Sequence, residues 1–412
     1  MPVNRLHEVL AGEIAALDEK GTRKGAEDVI TAVIPAAGAC GPRYRLAGHG
    51  DKPFIKMNSN AYLGMCLRPE VRAAEEQAVQ KFGVGPGAVR FISGTYITHV
   101  DLEARLAAFH GRESGMIFSS AYATTLGVLV PLTTPDTLVV SDELNHNCII
   151  NAMRLSRPAA KKVYGHLDMD ALKGILHEAA EANRYRRVIV VTDGVFSMRG
   201  DHAPLDVIAG LCREFDDKFP ENVILMVDDS HGVGAFGRTG RGSEEITGAQ
   251  GVDILVATLG KALGVNGGYV VGSKVLTDYL RETAPLYIYS NPITPAEAAA
   301  ALRSLEILDS PEGAGIVEAL AGKTRRFRTG LVKAGYETLP GEHPVVPLMV
   351  RDTGRTRDLV SHLKKRGVLA TGLAFPVVPR GDEEIRFQIN ADHTDADIDD
   401  VLEILDAGHG RT

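Results

Sequence analysis

Tryptophan is absent from this 412-residue chain, and cysteine is scarce: Cys40, Cys66, Cys148 and Cys212 lie far apart. With no CxxC pair and no histidine cluster at metal spacing, the sequence offers neither a zinc site nor a disulfide framework, and no metal is expected. Positive charge is also short. Lys plus Arg number 45 against 53 Asp plus Glu, a net charge of −8 without a basic cluster, which argues against a nucleic-acid partner. No apolar run approaches the length that crosses a bilayer. The opening MPVNRLHEVLAGEIAALDEK is amphipathic and acidic and lacks the apolar core of a secretory signal. A cytoplasmic protein is expected.

What is present is 44% apolar and 24% charged residues, ordinary for a globular chain long enough for one large and one smaller domain. Residues 1–27 read as helical, with Leu6, Leu10, Ile14 and Leu17 at helical spacing, and a Gly/Pro-punctuated stretch follows from Pro35 to Pro53. From Lys56 onward strands and helices alternate. Apolar strand candidates are 115–120, 137–141, 187–192, 223–227, 253–257 and 268–272. Residues 98–109 read as a helix with Leu102, Leu106 and Phe109 in one stripe and a capping-box-like start at Thr98 and Asp101. Residues 168–183 read as another, with Leu172, Ile175, Leu176 and Ala179 inward. Near-continuous apolar strands separated by helices predict an α/β fold with a mostly parallel sheet covered on both faces. The expected organisation is an N-terminal helix and arm (1–57), a large domain (58–295) and a smaller C-terminal α/β domain (296–412). The last opens with an Ala-rich helix from Pro295 and has strands near 345–350 and 384–390.

In such sheets ligands collect at the carboxyl ends of strands. Lys261 stands there, in Thr258-Leu259-Gly260-Lys261-Ala262-Leu263-Gly264, directly after the candidate at 253–257. A lysine beside turn glycines is ordinarily a surface residue. Here a second strand ends in Asp228-Asp229-Ser230-His231 and a third in Asp193-Gly194-Val195-Phe196-Ser197-Met198. A lysine, an acid and a histidine at strand ends are what pyridoxal phosphate chemistry requires. The lysine forms the Schiff base, and the acid pairs with the pyridine nitrogen to keep the ring an electron sink. Asp228 is the candidate acid, with Asp193 beside it in the cofactor-binding set, and Ser197 and His231 can reach the phenolic oxygen of such a ring. Ser120, Ala121 and Tyr122 lie between a strand and a helix start, where free amides and hydroxyls cradle phosphate. His146, at the end of Asp142-Glu143-Leu144-Asn145-His146, can stack on a planar ring, although a histidine in that place is more often structural. Arg386 sits on an alternating strand, either as a solvent-facing arginine or as a bidentate clamp on a substrate carboxylate. The GxGxxG match at 232–237 continues into Arg238-Thr239-Gly240-Arg241-Gly242, too glycine-rich to open the helix that a dinucleotide fold needs.

Eight motifs then fall in one order: SNAYLG (59–64), VRFISGT (89–95), SDELNH (141–146), TDGVFSMRGD (192–201), VDDSHGVGAFGRTGRG (227–242), TLGKALG (258–264), YSNPITP (289–295) and TGLAFPVVPRGDEEIR (371–386). From about Asn58 to about Thr394 the chain resembles the α-oxoamine synthases, fold-type I pyridoxal phosphate transferases. The resemblance implies that Lys261 carries the cofactor and Asp228 pairs with its ring nitrogen. It implies His231 and Ser197 on the ring oxygen and His146 stacked on the ring. It gives the phosphate to Ala121, Tyr122 and Thr258, helped by Ser290 and Asn291 of a second subunit in a homodimer with shared sites. Arg386 and Asn60 would hold the amino-acid carboxylate. The implied reaction is a Claisen-type condensation, decarboxylating or not, of a small α-amino acid (glycine, alanine or serine) with an acyl-CoA. The last motif and TDGVFSM look most like the 2-amino-3-ketobutyrate CoA ligase branch, and SSAY more like aminolevulinate synthases. Ala61 stands where the family usually has Asn or Asp, Leu167 where an Asn is common, and the loop 264–268 is one residue shorter than in that ligase branch. Aminotransfer or β-elimination on the same fold is the first alternative. A non-catalytic partner subunit is the second, and it would be expected to lack the lysine.

Overall fold

The computed structural model describes residues 3–20, 23, 25–375 and 377–409. Its central sheet contains β1 (Ser114–Phe118), β2 (Thr137–Asp142), β3 (Ala160–Tyr164), β4 (Arg187–Asp193), β5 (Val223–Asp228), β6 (Ile254–Thr258) and β7 (Gly268–Gly272). Their order across the sheet is β1-β7-β6-β5-β4-β2-β3. The run from β6 to β3 pairs in parallel throughout. β7 alone runs antiparallel, against both β1 and β6. Strands such as Arg187–Asp193 are apolar on both faces because both faces are covered. Val188 and Val190 join one apolar layer, while Ile189 and Val191 join the layer on the other side.

β3 had no signal in the sequence. Lys161, Lys162 and Val163 are exposed on it, since an edge strand needs no apolar run and its charges deter further pairing. A second, smaller antiparallel sheet joins Glu337–Thr338, Val345–Met349, Glu384–Gln388 and Thr371–Leu373 in that order. Helices Pro295–Leu308 and Pro311–Lys333 precede it, and Asp395–His409 follows. Ile55–Lys56 pairs in parallel with Val368–Leu369, tying the segment before Asn58 to this smaller unit. These two-residue strands are too short to carry a periodic pattern.

Several boundaries moved. The N-terminal helix is Asn4–Glu19, shorter than 1–27, and its apolar stripe of Leu6, Leu10, Ile14 and Leu17 is exposed. Residues 1, 2, 21, 22 and 24 of that expected helix lie outside the described residues, as does Pro376 of the last motif. Strand Arg43–Leu46, within the expected Gly/Pro-punctuated stretch, pairs with Ile30–Ile34. The third helix begins at Ile97, not at a Thr98 cap. Tyr96 N donates to His99 Nδ1 (3.1 Å), and His99 Nε2 is anchored on Ile293 O (2.9 Å). That tertiary anchor sets the helix start and leaves Thr98 Oγ1 buried without a partner. Met169–Ala182 is capped by Asp168, which accepts from Ala171 N (2.9 Å). Its Leu172, Leu176 and Ala179 are buried and Ile175 partly so.

Among the described residues no helix is long and apolar enough to cross a membrane. The turns after β5 are fixed by the fully buried Asp229. Its carboxylate accepts from Ser243 N (2.7 Å) and Ser243 Oγ (2.5 Å). A Cβ on Gly194, Gly232 or Gly242 would overlap that carboxylate, so three glycines close round one acid. Asp229→Ala should therefore lower the unfolding free energy by about 2–4 kcal/mol, leaving a buried donor pair unmet and a void between the turns. Urea denaturation measures it, and a change under about 0.5 kcal/mol would contradict this role.

Candidate active site

The sheet brings two carboxylates to one edge. Asp193 ends β4, Asp228 ends β5, and the two residues are paired in register. Lys261 follows three residues after Thr258, the end of β6. The three border a cavity of about 260 Å³ together with Ala121, Tyr122, His146, Cys148, Ser197, His231 and Thr258. The structure thus brings together most of the residues singled out in the sequence.

Each carboxylate is met by donors. Asp228 Oδ2 accepts from Thr125 Oγ1 (3.1 Å) and faces Cys148 Sγ at 3.6 Å, while Oδ1 accepts from Ser230 N (3.1 Å). Asp193 Oδ2 accepts from His146 N (2.9 Å), and Asp193 N donates to Asn145 Oδ1 (2.7 Å). Burial, and then the charge of Asp228, pushes the Asp193 carboxyl well above the usual range. Burial brings Lys261 down to about 8, against the attraction of Asp228 and Asp193 and with repulsion from Arg386. An amine so tuned is partly unprotonated near neutrality, as a nucleophile or proton acceptor must be. Burial also depresses His146, and it drives His231 well below its ordinary value, so both imidazoles are neutral.

Ser120 does not line the cavity. It caps helix Ala121–Leu132, its Oγ accepting from Ala123 N (3.1 Å). A Cβ on Gly268 would overlap the Ala121 backbone, so glycine there lets β7 approach the helix start. The first-turn amides of Ala121 and Tyr122 lack intrahelical partners and carry the positive end of the helix dipole. Thr258 lines the cavity, but its hydroxyl is engaged, donating to Gly267 O (3.2 Å) and accepting from Gly260 N (3.0 Å). Ser290 and Asn291 do not line the cavity of their own chain. Among the described residues Ser290 Oγ reaches only Asn291 O (3.5 Å), and Asn291 is exposed.

Asn60 and Arg386 form a group beside the cavity. Asn60 Oδ1 takes Gln388 Nε2 at 3.1 Å, with Arg386 Nη2 and Tyr62 OH each at 3.4 Å. Arg386 is not the solvent-facing residue its strand allowed: its Nε is buried and, among the described residues, unpartnered. Sequence reasoning gave no role to Tyr62, Thr125, Asn145 or Cys148. Tyr62 and Asn145 lay inside quoted motifs, but neither residue type announces its contacts. A buried amine between carboxylates, an unpaired helix N-terminus and neutral histidines fit pyridoxal phosphate.

The profile of the aminotransferase class I and II family matches residues 52–405. The chain is 41% identical to 8-amino-7-oxononanoate synthase of Bacillus pumilus, over 86% of this chain and 88% of the relative. It is 39% identical to the human mitochondrial 2-amino-3-ketobutyrate coenzyme A ligase, over 97% of this chain and 91% of the relative. Among solved structures, serine palmitoyltransferase of Sphingomonas wittichii superposes with a TM-score of 0.87 at 26% identity, covering 99% and 98% of the two chains.

Behind the cavity, His166 joins the loops after β2 and β4. Its Nδ1 meets Asp142 Oδ1 at 3.1 Å and its Nε2 meets Asp201 Oδ2 at 3.2 Å. Leu167 N donates to Asp142 Oδ2 (2.9 Å) from a left-handed φ of 57°, a conformation that suits Asn better than Leu. Burial opposes charge on His166, yet the hydrogen bonds and charges of Asp142 and Asp201 outweigh it and raise the pKa to about 9. The folded value lies above the unfolded one, so this contribution is complete below pH ~6.5 and fades as pH rises through about 9. His166→Gln should lower stability by about 1–3 kcal/mol at pH 6 and by much less at pH 10. Thermal unfolding of both proteins across that range checks it, and a gap that widens with pH would contradict the charged bridge.

Proposed function

The chain belongs to the aminotransferase class I and II family and, within it, to the α-oxoamine synthases, and on that premise we propose that it condenses a small α-amino acid with an acyl-CoA. Glycine is the first substrate in this reading, with alanine or serine next. The observation that carries it is the amine of Lys261, buried opposite Asp228 and Asp193 while the nearby Arg386 keeps an Nε unpartnered among the described residues.

When bound, pyridoxal phosphate supplies an aldehyde for the substrate amine and a protonated ring that takes up the electron pair left at Cα. The chain's residues do the rest. Ala121 and Tyr122 offer their amides to the phosphate. Asp228 would hold a proton on the ring nitrogen, and Ser197 and His231 would hold the phenolic oxygen. Arg386 and Asn60 orient the substrate carboxylate, bidentate pairing being the strength of a guanidinium. With the substrate amine in place, Lys261 Nζ would take the Cα proton. His146 would face the bound ring and donate toward the thioester oxygen as Cα bonds to the acyl carbon and the carbon–sulfur bond breaks, coenzyme A leaving as thiol. A short acyl chain is favoured by the likeness of residues 374–379 to the 2-amino-3-ketobutyrate ligase branch.

The surface next to Ser290 supports the reading of a homodimer with shared sites. Phe91 and Ile92 are each 65% exposed. Their segment adjoins helix Pro285–Ile288, with the Arg90 guanidinium 5.4 Å from the Tyr287 ring centre. A second copy covering this apolar patch would bring its Ser290 and Asn291 to the phosphate. The cytoplasm is the compartment that reduced cysteines suit.

Amino acids crossed with acyl-CoA chain lengths, followed by thiol release and carbon dioxide, test the reaction. Glycine with a short acyl-CoA is expected to release thiol fastest, and Lys261→Ala to abolish both turnover and borohydride trapping of the cofactor. Half-transamination without thiol release from any pair would refute the condensation. For the shared site, inactive Lys261→Ala is mixed with an inactive Ser290→Ala/Asn291→Ala protein. Hybrids then hold one intact site, so activity should return toward a quarter of the wild-type level from random pairing. No recovery after proven subunit exchange would contradict shared sites.

A further inference from the structure

Tyr62 comes from the SNAYLG segment and is completely buried. Its hydroxyl lies 2.8 Å from His231 Nδ1 and 3.4 Å from Asn60 Oδ1. A tyrosine hydroxyl has one hydrogen to give, and a neutral imidazole has one donor nitrogen and one acceptor. Burial raises the Tyr62 hydroxyl far above its ordinary pKa and lowers that of His231, so both groups are neutral. Two arrangements remain. In one, Tyr62 donates to Nδ1 and the imidazole proton sits on Nε2. In the other, Nδ1 donates to Tyr62, whose own hydrogen must then reach Asn60 Oδ1. That oxygen already receives Gln388 Nε2 at 3.1 Å and Arg386 Nη2 at 3.4 Å. The short contact favours the first arrangement.

The rest of His231 is held as well. His343 Nδ1 accepts from Val345 N (3.1 Å), so its Nε2 carries the hydrogen donated to His231 O (2.9 Å). With backbone and Nδ1 fixed, Nε2 is the nitrogen of His231 left without a protein partner among the described residues, and the residue lines the cavity.

We infer that Tyr62 is a positioning residue that fixes the tautomer of His231, placing an Nε2–H donor toward the cavity and so toward the phenolic oxygen of the bound cofactor. The inference rests on reading His231 as a ligand of that oxygen. The opposite tautomer would aim a lone pair at an oxygen anion and weaken the contact instead of making it.

Tyr62→Phe removes the hydroxyl and keeps the ring. The first measurement uses cofactor-free, full-length protein carrying ¹⁵N-histidine, with His231 signals assigned by their loss in His231→Gln. Wild-type protein should show a protonated Nε2 and a bare Nδ1, and Tyr62→Phe a mixture of tautomers. The second follows the cofactor-bound absorbance across pH, together with cofactor affinity. Tyr62→Phe should shift the titration midpoint and weaken cofactor binding about tenfold, the effect of one hydrogen bond. In a His231→Gln background it should add nothing. A protonated Nδ1 in the wild type, or effects of the two substitutions that simply add, would overturn the assignment. If His231→Gln leaves affinity and absorbance unchanged, the reading of His231 as a ligand fails, while the nitrogen signals still decide the hydrogen bond. Should Tyr62→Phe not fold, the wild-type spectrum alone decides the tautomer.

Discussion

Two carboxylates placed side by side inside a protein repel each other, and the site is organised round that repulsion. Register pairing sets Asp193 next to Asp228 at the carboxyl edge of the sheet, where adjacent strands lie about 4.8 Å apart. Burial and this repulsion together hold the Asp193 carboxyl well above its usual range. Nothing apolar can relieve it. The surrounding elements answer with donors: Thr125 from the helix after β1, Ser230 from the turn after β5, the His146 amide from the helix after β2. The remaining answer is the amine of Lys261, which the two acids keep partly charged against its own burial. A lysine poised near its neutral form is a consequence of this balance.

The balance needs the loops to stay where the strands deliver them. Asp229, one residue past Asp228, gathers three glycine turns, and His166 joins the loops after β2 and β4. Neither side chain lines the cavity. They convert the precision of a buried parallel sheet into precision at its loops, which otherwise would be the least constrained part of the fold.

What the sequence disclosed follows the same division. Strands β2, β4, β5 and β6 were legible because burial on both faces forces continuous apolar runs. The residues at their ends were legible because lysine, acid and histidine rarely meet in such places without a chemical reason. Edge strand β3 was not, since exposure on the edge lets Lys161 and Lys162 replace apolar residues. The start of the helix at Ile97 was misplaced at Thr98 because a distant contact, His99 to Ile293 O, outranked a local capping pattern. Tyr62 and Thr125 were silent for a different reason. Their roles depend on one hydrogen bond each across more than 100 residues of chain, and no local pattern records that.

The smaller sheet reaches the site through one strand, and there the polar accounts are open. Residues 384, 386, 388 and 390 alternate along Glu384–Gln388 and its continuation, so they share a face. On that face Glu384 Oε1, Arg386 Nε, Gln388 Oε1 and Asn390 Oδ1 are all buried without a hydrogen-bond partner among the described residues. Buried polar atoms are almost always satisfied, and four on one strand face mark a surface shaped for a polar guest rather than for packing. Burial lifts the Glu384 carboxyl to about 7, although Arg386 and Arg199 pull the other way. A neutral or half-charged acid two residues from the cationic Arg386 leaves much of that charge uncompensated, as an anion would require.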